Sequence, residues 1–435
     1  MASEASHVSV LESFLRSHPS IRYIRYQWVD YAGILRVRIA TVSYCRQLAM
    51  RSAPLAMSPI ALTSTTVNEF MPGLVPTGID HLYPDCSSLR PCLYAPSHAA
   101  LMCFVSEGID NAGFVRCPRT LLHQAISMAR EDELDIKVGF EVEFRCFNPD
   151  GTDIDECLRG FSTAAGLKNR CISIIEEIMQ LLEQSGIEVQ QFHTEGTKGM
   201  FEISTGPMPA VQAVDAWVYT RETIKMLFWR NNIIATLHPS PAPEHHGIAA
   251  QFHLSISPPK EATAQPFLAG ILHRLPALCA LSLPLEESYK RVSDFASESG
   301  AYVAWGTENR DVPIRKIGTG HWEIRCCDGA ANLYLVLAAF ITSGLEGLKT
   351  GMELKWKDYL GCPSSIEEQE RVNFGIQTRL PKNLAESLNE LEKADWKESG
   401  LTEAAATYAK IKRHELISLR KLSHDDRRAL LLRHF

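Results

Sequence analysis

Glu141 and Glu143 stand two residues apart in Gly139-Phe140-Glu141-Val142-Glu143-Phe144. Side chains of a β-strand alternate between faces. The two carboxylates therefore share one face, and Phe140, Val142 and Phe144 pack on the other. Neighbouring like charges raise each other's energy, so such a pair belongs either at a solvated edge or beside a cation that neutralises it. The strand alone leaves both open. Three further segments repeat the alternation. Glu202 opposes Phe201 and Ile203; Gln251, His253 and Ser255 oppose Ala250, Phe252, Leu254 and Ile256; His321, Glu323 and Arg325 oppose Trp322 and Ile324. Glu195, seven residues before Glu202, adds another acid.

Glu141, Glu143, Glu195, Glu202 and Glu323, with His253 and Gln251, make an oxygen-rich donor set suited to Mg²⁺ or Mn²⁺. Arg291, Arg310, Arg315 and Arg325 follow in the same region. The guanidinium fork matches planar carboxylate and phosphate oxygens. Acids and arginines on neighbouring strands point to metal–nucleotide chemistry. The competing reading is a set of surface ion pairs, each worth little. Four strands of one pattern weigh against it.

The elements that must position these residues follow from periodicity and punctuation. Residues 8–17 read as a short amphipathic helix. Residues 21–29 and 34–42 read as strands around a turn at Asp30-Tyr31-Ala32-Gly33, where Asp30 by itself reads as an ordinary turn residue. A Pro- and Thr-rich stretch spans 54–76 and a turn-rich loop 80–95, and residues 99–105 read as a strand. A helix at 118–131 leads into the acidic strand. Helical patterns then cover 170–185, 208–231, 264–282, 332–348, 380–394 and 401–420. Strand-like segments lie between them at 188–192, 200–204, 234–238, 249–257, 302–305, 314–317 and 321–326. The fold class is α+β, with a small mixed β domain at 1–112 and a large domain at 113–435.

The 435 residues carry a net charge of −7, with no long Lys/Arg runs, which argues against a nucleic-acid surface. No apolar run approaches the roughly 20 residues of a membrane span, and residues 1–19 show no signal-peptide pattern. The twelve cysteines form no CxxC pair, so they read as reduced, mostly buried thiols of a cytoplasmic protein. His193, His238, His245 and His246 show no metal-ligand spacing and read as loop or surface residues.

Several segments, in order, resemble glutamine synthetase. Residues 139–144 look like its GxExEF strand, and Glu195 to Glu202 is similar to its ExxxGQxE segment. Gly247 to Ser255 resembles its GSGMHxHxS stretch. Glu287-Ser288-Tyr289-Lys290-Arg291 is like NSYKR, and Trp305 to Arg315 is like WGxxNRxxxxR. Glu323-Ile324-Arg325, Asp328 and Asn332-Leu333-Tyr334-Leu335 look like ExR…D…NPYL, and Asp30 to Gly33 matches the DxxG turn. The likeness runs from about residue 20 to the end.

The resemblance implies a β-grasp N-terminal domain, a catalytic domain on a curved antiparallel sheet, and homo-oligomeric rings, decamers or dodecamers, with active sites between subunits. It implies an ATP-dependent ligase forming an amide through an acyl phosphate. By matching positions, Glu143, Glu195 and Glu202 would hold one Mg²⁺ or Mn²⁺. Glu141, Glu323 and Gln251 would hold a second. Arg291, Arg325 and Gly247 would bind the acid substrate. His253, Ser255, Arg310 and Arg315 would face ATP. Asp30, reaching in from a neighbouring subunit, would help deprotonate the amine, and Glu298 would lie on a flap over the intermediate.

The chain departs from the pattern at Gln251 (a histidine in the family), Met200 (glutamine), His246 (asparagine), Ser240 (lysine) and His321 (arginine). These changes fall at substrate, second-metal and phosphate-contact positions while all five acids are kept, so the chain reads as a ligase for a small-molecule acid, glutamate or a related one, and a non-standard amine. The alternative is a catalytically weak or inactive member with a structural or regulatory role. The tyrosine that some bacterial members adenylylate is absent before Leu380-Pro381.

Overall fold

The computed structural model describes residues 5–73, 77–107, 116–242, 247–292, 294 and 299–435. Two sheets organise them. The first contains β1 (Tyr23–Val29), β2 (Leu35–Thr41), β3 (Leu55–Met57), β4 (Asp80–Pro84), β5 (Arg90–Pro91) and β6 (His98–Glu107), with the path β2-β1-β6-β4-β3. β1 and β2 form an antiparallel hairpin, and β1 runs parallel to β6.

The second sheet contains β7 (Asp135–Phe147), β8 (Val189–Thr194), β9 (Met200–Thr205), β10 (Met208–Pro209), β11 (Ile234–Thr236), β12 (Ala250–Ser257), β13 (Trp305–Thr307), β14 (Ile314–Gly318) and β15 (His321–Ile324). Its path is β13-β14-β15-β12-β7-β9-β8, antiparallel except at β13–β14. Phe140, Val142, Phe144, Phe201, Ile203, Phe252, Leu254, Trp322 and Ile324 are buried on its back. The apolar helices Ala210–Arg230, Glu261–Ser282 and Leu333–Lys349 complete this core. Burying these side chains stabilises the sheet by roughly 1.5–3 kcal/mol each. It also fixes which residues can face the other way.

The hairpin turn docks on the segment that leads into helix Leu333–Lys349. Gly33 takes φ +80°, and a Cβ there would stand 2.2 Å from the Ala330 carbonyl oxygen. Asn332 caps the helix Leu333–Lys349, accepting from the Tyr334 amide at 3.1 Å, while its Nδ2 donates to the Asp30 carbonyl at 2.8 Å. The Glu415 carboxylate accepts from the Thr66 amide at 2.7 Å and pairs with Lys412; both charged side chains are buried. Ten of the twelve cysteines are buried. Among the described residues no helix is long and apolar enough to cross a membrane.

Candidate active site

Pairing register brings the acids together. β7 lies between β12 and β9, placing Gln251 opposite Glu141 and Glu202 opposite Glu143. β8 then sets His193 opposite Glu202. On the other side, His253 is opposite Glu323, Ser255 opposite His321, and Arg315 opposite Glu323. All point to the front because each partner on the back is apolar, and a one-residue slip would reverse every one of them.

Glu143, Glu195 and Glu202 are buried. Glu143 accepts from the Ala249 amide at 2.6 Å. Burial raises its pKa well above the carboxylate range, and the charges of Glu202 and Glu195 raise it further. His193 bridges the other two acids, with Nδ1 3.2 Å from Glu195 and Nε2 3.3 Å from Glu202. Hydrogen bonds to Glu195 and Glu202 lift its pKa to about 10. Ligand atoms of His193, Glu195 and Glu202 all lie within 4.8 Å of one another. Buried carboxylates that crowd one another around a histidine fit a divalent cation, which would neutralise them. His193 is thus a half-buried strand residue and not a loop residue. The signal that could have found it is His193-Thr194-Glu195, whose alternation puts the histidine on the face next to an acid.

The second set is arranged differently. Glu323 pairs with both Arg325 and Arg315, the latter at 2.7 Å. Arg325 also donates to the side-chain amide oxygen of Gln251 (Oε1) at 3.0 Å. Glu141 lies 3.2 Å from His253 Nε2, and His253 Nδ1 is 3.0 Å from His321 Nε2. Burial acts to raise the pKa of Glu141, but the His253 contact and the two arginines outweigh it and hold it below the usual value. Glu141, Gln251 and Glu323 share one face, each engaged by a basic side chain.

A cavity of about 400 Å³ opens beside the first set, with Glu143, Glu195, Gly247, Gln251, Arg291 and Arg325 among its lining. Arg291 is buried and donates to the Cys327 carbonyl at 2.9 Å. A Cβ on Gly247 would stand 2.3 Å from Arg291 Cγ, so glycine is required for this loop to cross the arginine. Asn309 anchors the β13–β14 connection by donating to the carbonyls of Tyr359 at 2.8 Å and Gly361 at 2.9 Å, while the next residue, Arg310, is exposed. Ser255 is half-buried at the far end of β12.

The Asp30 side chain is fully enclosed within its own chain. Oδ1 accepts from the Ala32 and Ile34 amides, both at 2.9 Å, and Oδ2 lies 2.7 Å from Arg36 Nε. These contacts organise the hairpin turn. Glu298 and His246 lie outside the described residues.

His238 is buried at 2% exposure and accepts from the Ser240 amide at 3.2 Å, against the surface reading. Burial, helped by Lys290 nearby, lowers its pKa to about 3. A histidine depressed in the folded state contributes stability above its unfolded pKa and loses it as pH falls toward the folded value. Between pH 6.5 and 5 this amounts to about 2 kcal/mol. Denaturant midpoints should fall over that window, and the His238→Asn variant should show a flatter profile.

Residues 115–430 match the family model described as the glutamine synthetase catalytic domain. The chain is 34% identical to protein fluG of Emericella nidulans over 447 residues. That alignment takes in 100% of this chain and 51% of fluG, so the chain spans about half the length of that relative. It is 29% identical to the gamma-glutamylpolyamine synthetase GlnA3 of Streptomyces coelicolor, covering 83% of this chain and 82% of that protein. The solved structure described as apo GmaS without ligand superposes with a TM-score of 0.82 at 25% identity, over 96% of this chain and 98% of that one.

Proposed function

The chain belongs to the glutamine synthetase family, and from that premise we propose an ATP-dependent ligase joining a carboxylic acid, glutamate or a close relative, to an amine other than ammonia. The observation that carries this reading is the convergence of buried Glu143, Glu195 and Glu202 beside a cavity that also holds Arg291 and Arg325. The similarity to a gamma-glutamylpolyamine synthetase supports an acceptor larger than ammonia.

In this reading Arg291 and Arg325 orient the acid by charge-assisted hydrogen bonds. Its carboxylate, a poor acyl donor, becomes reactive by taking a phosphoryl group from ATP, and the amine then displaces phosphate to form the amide. Arg310 and Arg315, with His253 and Ser255, would face the ATP phosphates and offset charge developing on the transferred group. Glu143, Glu195 and Glu202 would hold a divalent ion, with His193 giving up its proton to join or support them. When bound, the ion supplies charge neutralisation between phosphate and carboxylate oxygens. We place the assembly in a homo-oligomeric ring, ten or twelve subunits, whose mass light scattering would give.

The test is phosphate release from ATP with Mg²⁺ or Mn²⁺, across panels of acids and amines that include glutamate and ammonia. The expected result is release that requires both an acid and an amine. No release with any pair would sink the ligase. A second reading, a structural or regulatory protein on the same fold, is favoured by the ion pairs that engage Glu141 and Glu323. It predicts no release from any pair while the ring stays intact.

A further inference from the structure

The two acid sets on the front of the sheet differ in what sits between their oxygens. In the first, ligand atoms of His193, Glu195 and Glu202 gather within 4.8 Å of one another. Glu143 stands opposite Glu202 on the next strand. Three carboxylates there crowd one histidine. Among the described residues no second group of three acid, histidine or cysteine donors meets that spacing.

The second set is Glu141 on β7, Gln251 on β12 and Glu323 on β15. An ion shared by all three would stand about 2.0–2.6 Å from an oxygen of each. Arg325 Nη1 already lies between two of them. It donates to Glu323 Oε1 and, at 3.0 Å, to Gln251 Oε1. Arg315 Nη1 donates to the other Glu323 oxygen, Oε2, at 2.7 Å. His253 Nε2 is 3.2 Å from Glu141 Oε1.

The chain builds this arrangement locally. Glu323 and Arg325 are two residues apart, so alternation sends both to the front. Phe252 pairs with Ile324, and one step further the same register brings Gln251 to Arg325. The charges match as well. Two carboxylates meet two guanidiniums, Arg315 being shared with the exposed Glu308. Gln251 adds an acceptor oxygen and no charge. Glu323 and Arg325 are both buried. Parting them to admit an ion would strand a buried guanidinium, which is costly.

We propose that Arg325 takes the place of a second divalent ion in this chain. Glu141, Gln251 and Glu323 are neutralised by basic side chains, and the protein by itself holds one Mg²⁺ or Mn²⁺ per subunit, at Glu143, Glu195 and Glu202. This rests on the metal reading of the first set and narrows the ligase reading: a fixed cation stands where an exchangeable one is expected. Nη1 is one nitrogen of the guanidinium, so this duty is compatible with orienting the acid through the others.

The experiment titrates Mn²⁺, up to millimolar concentration, into metal-free protein and counts ions per subunit by calorimetry and by the EPR signal of unbound Mn²⁺. Nucleotide is left out, because ATP brings an ion of its own. The wild type should bind one ion. Glu202→Gln should lose it, by more than the roughly 10–100-fold that removal of a supporting hydrogen bond costs a metal site. Glu141→Gln and Glu323→Gln should still bind one, with affinity close to wild type. Arg325→Leu should gain a second ion, a result that misfolding cannot imitate, and adding Glu323→Gln should abolish the gain. Two ions in the wild type, one of them lost in Glu141→Gln, would overturn the proposal, as would an Arg325→Leu protein that binds only one. No ion in the wild type would overturn the first set's assignment and the proposal together. The ligase reading is judged separately, by phosphate release.

Discussion

Glu143→Ala should lower phosphate release on the order of a thousandfold, the equivalent of about 4 kcal/mol of transition-state stabilisation. Glu143 lies across the β7–β9 pair from Glu202, beside the cluster of His193, Glu195 and Glu202. Removing it takes one carboxylate from the proposed ion and shifts the charge balance against which Arg291 works. The alanine also strips the Ala249 amide of its acceptor. An unpaired buried amide costs about 1–3 kcal/mol in stability. Glu143→Gln separates the two effects, because its amide oxygen still accepts that hydrogen bond while the charge is gone. Turnover should collapse in both variants, with the melting temperature falling chiefly in Glu143→Ala. Activity surviving in Glu143→Gln would move the metal assignment away from this residue.

Lys412→Met should destabilise the fold by about 3–5 kcal/mol, the usual consequence of leaving a buried charge without its partner. Lys412 and Glu415 are 0% and 1% exposed, one helical turn apart on Thr402–Arg420. Glu415 also receives the Thr66 amide, so one carboxylate serves both this helix and the segment around Thr66. Adding Glu415→Gln to Lys412→Met should restore at least half of the loss, since a neutral amide can still accept from Thr66. Denaturant unfolding of the three proteins measures this. A double variant no more stable than the single one would show that the helix depends on the charge of Glu415 itself.

What could be read from sequence divides along physical lines. Strands with a charged front and apolar back were legible because period-two alternation is local. Helix Pro118–Glu131 was legible to the residue, with Pro118 in its first turn, where a missing amide costs nothing. Helix Val42–Met50 was missed because it follows β2 without a spacer; Thr41 ends the strand and also caps the helix, accepting from the Tyr44 amide. Helix His424–His434 was missed because its polar and basic residues conceal the two buried leucines, Leu431 and Leu432. His193, and the exposure of His238, were misread for one reason. A histidine's neighbours in sequence do not report the acids or the burial that tertiary pairing brings to it. At Asp30 the local chemistry indicated a turn, and the carboxylate does bind the turn amides of Ala32 and Ile34.

β7 is thirteen residues long and pairs with β9, β10, β11 and β12. It works as a common ruler. Glu141 and Glu143 sit on it, and Gln251 and Glu202 are indexed directly against its marks, His193 and Glu323 one strand further out. Phe161 and Gly247, which line the cavity, are carried by loops off the ruler. Loop lengths and contents can therefore be rewritten without moving the scale against which the reacting groups are set. In such a layout, reactivity and selectivity are separable characters, open to change one at a time.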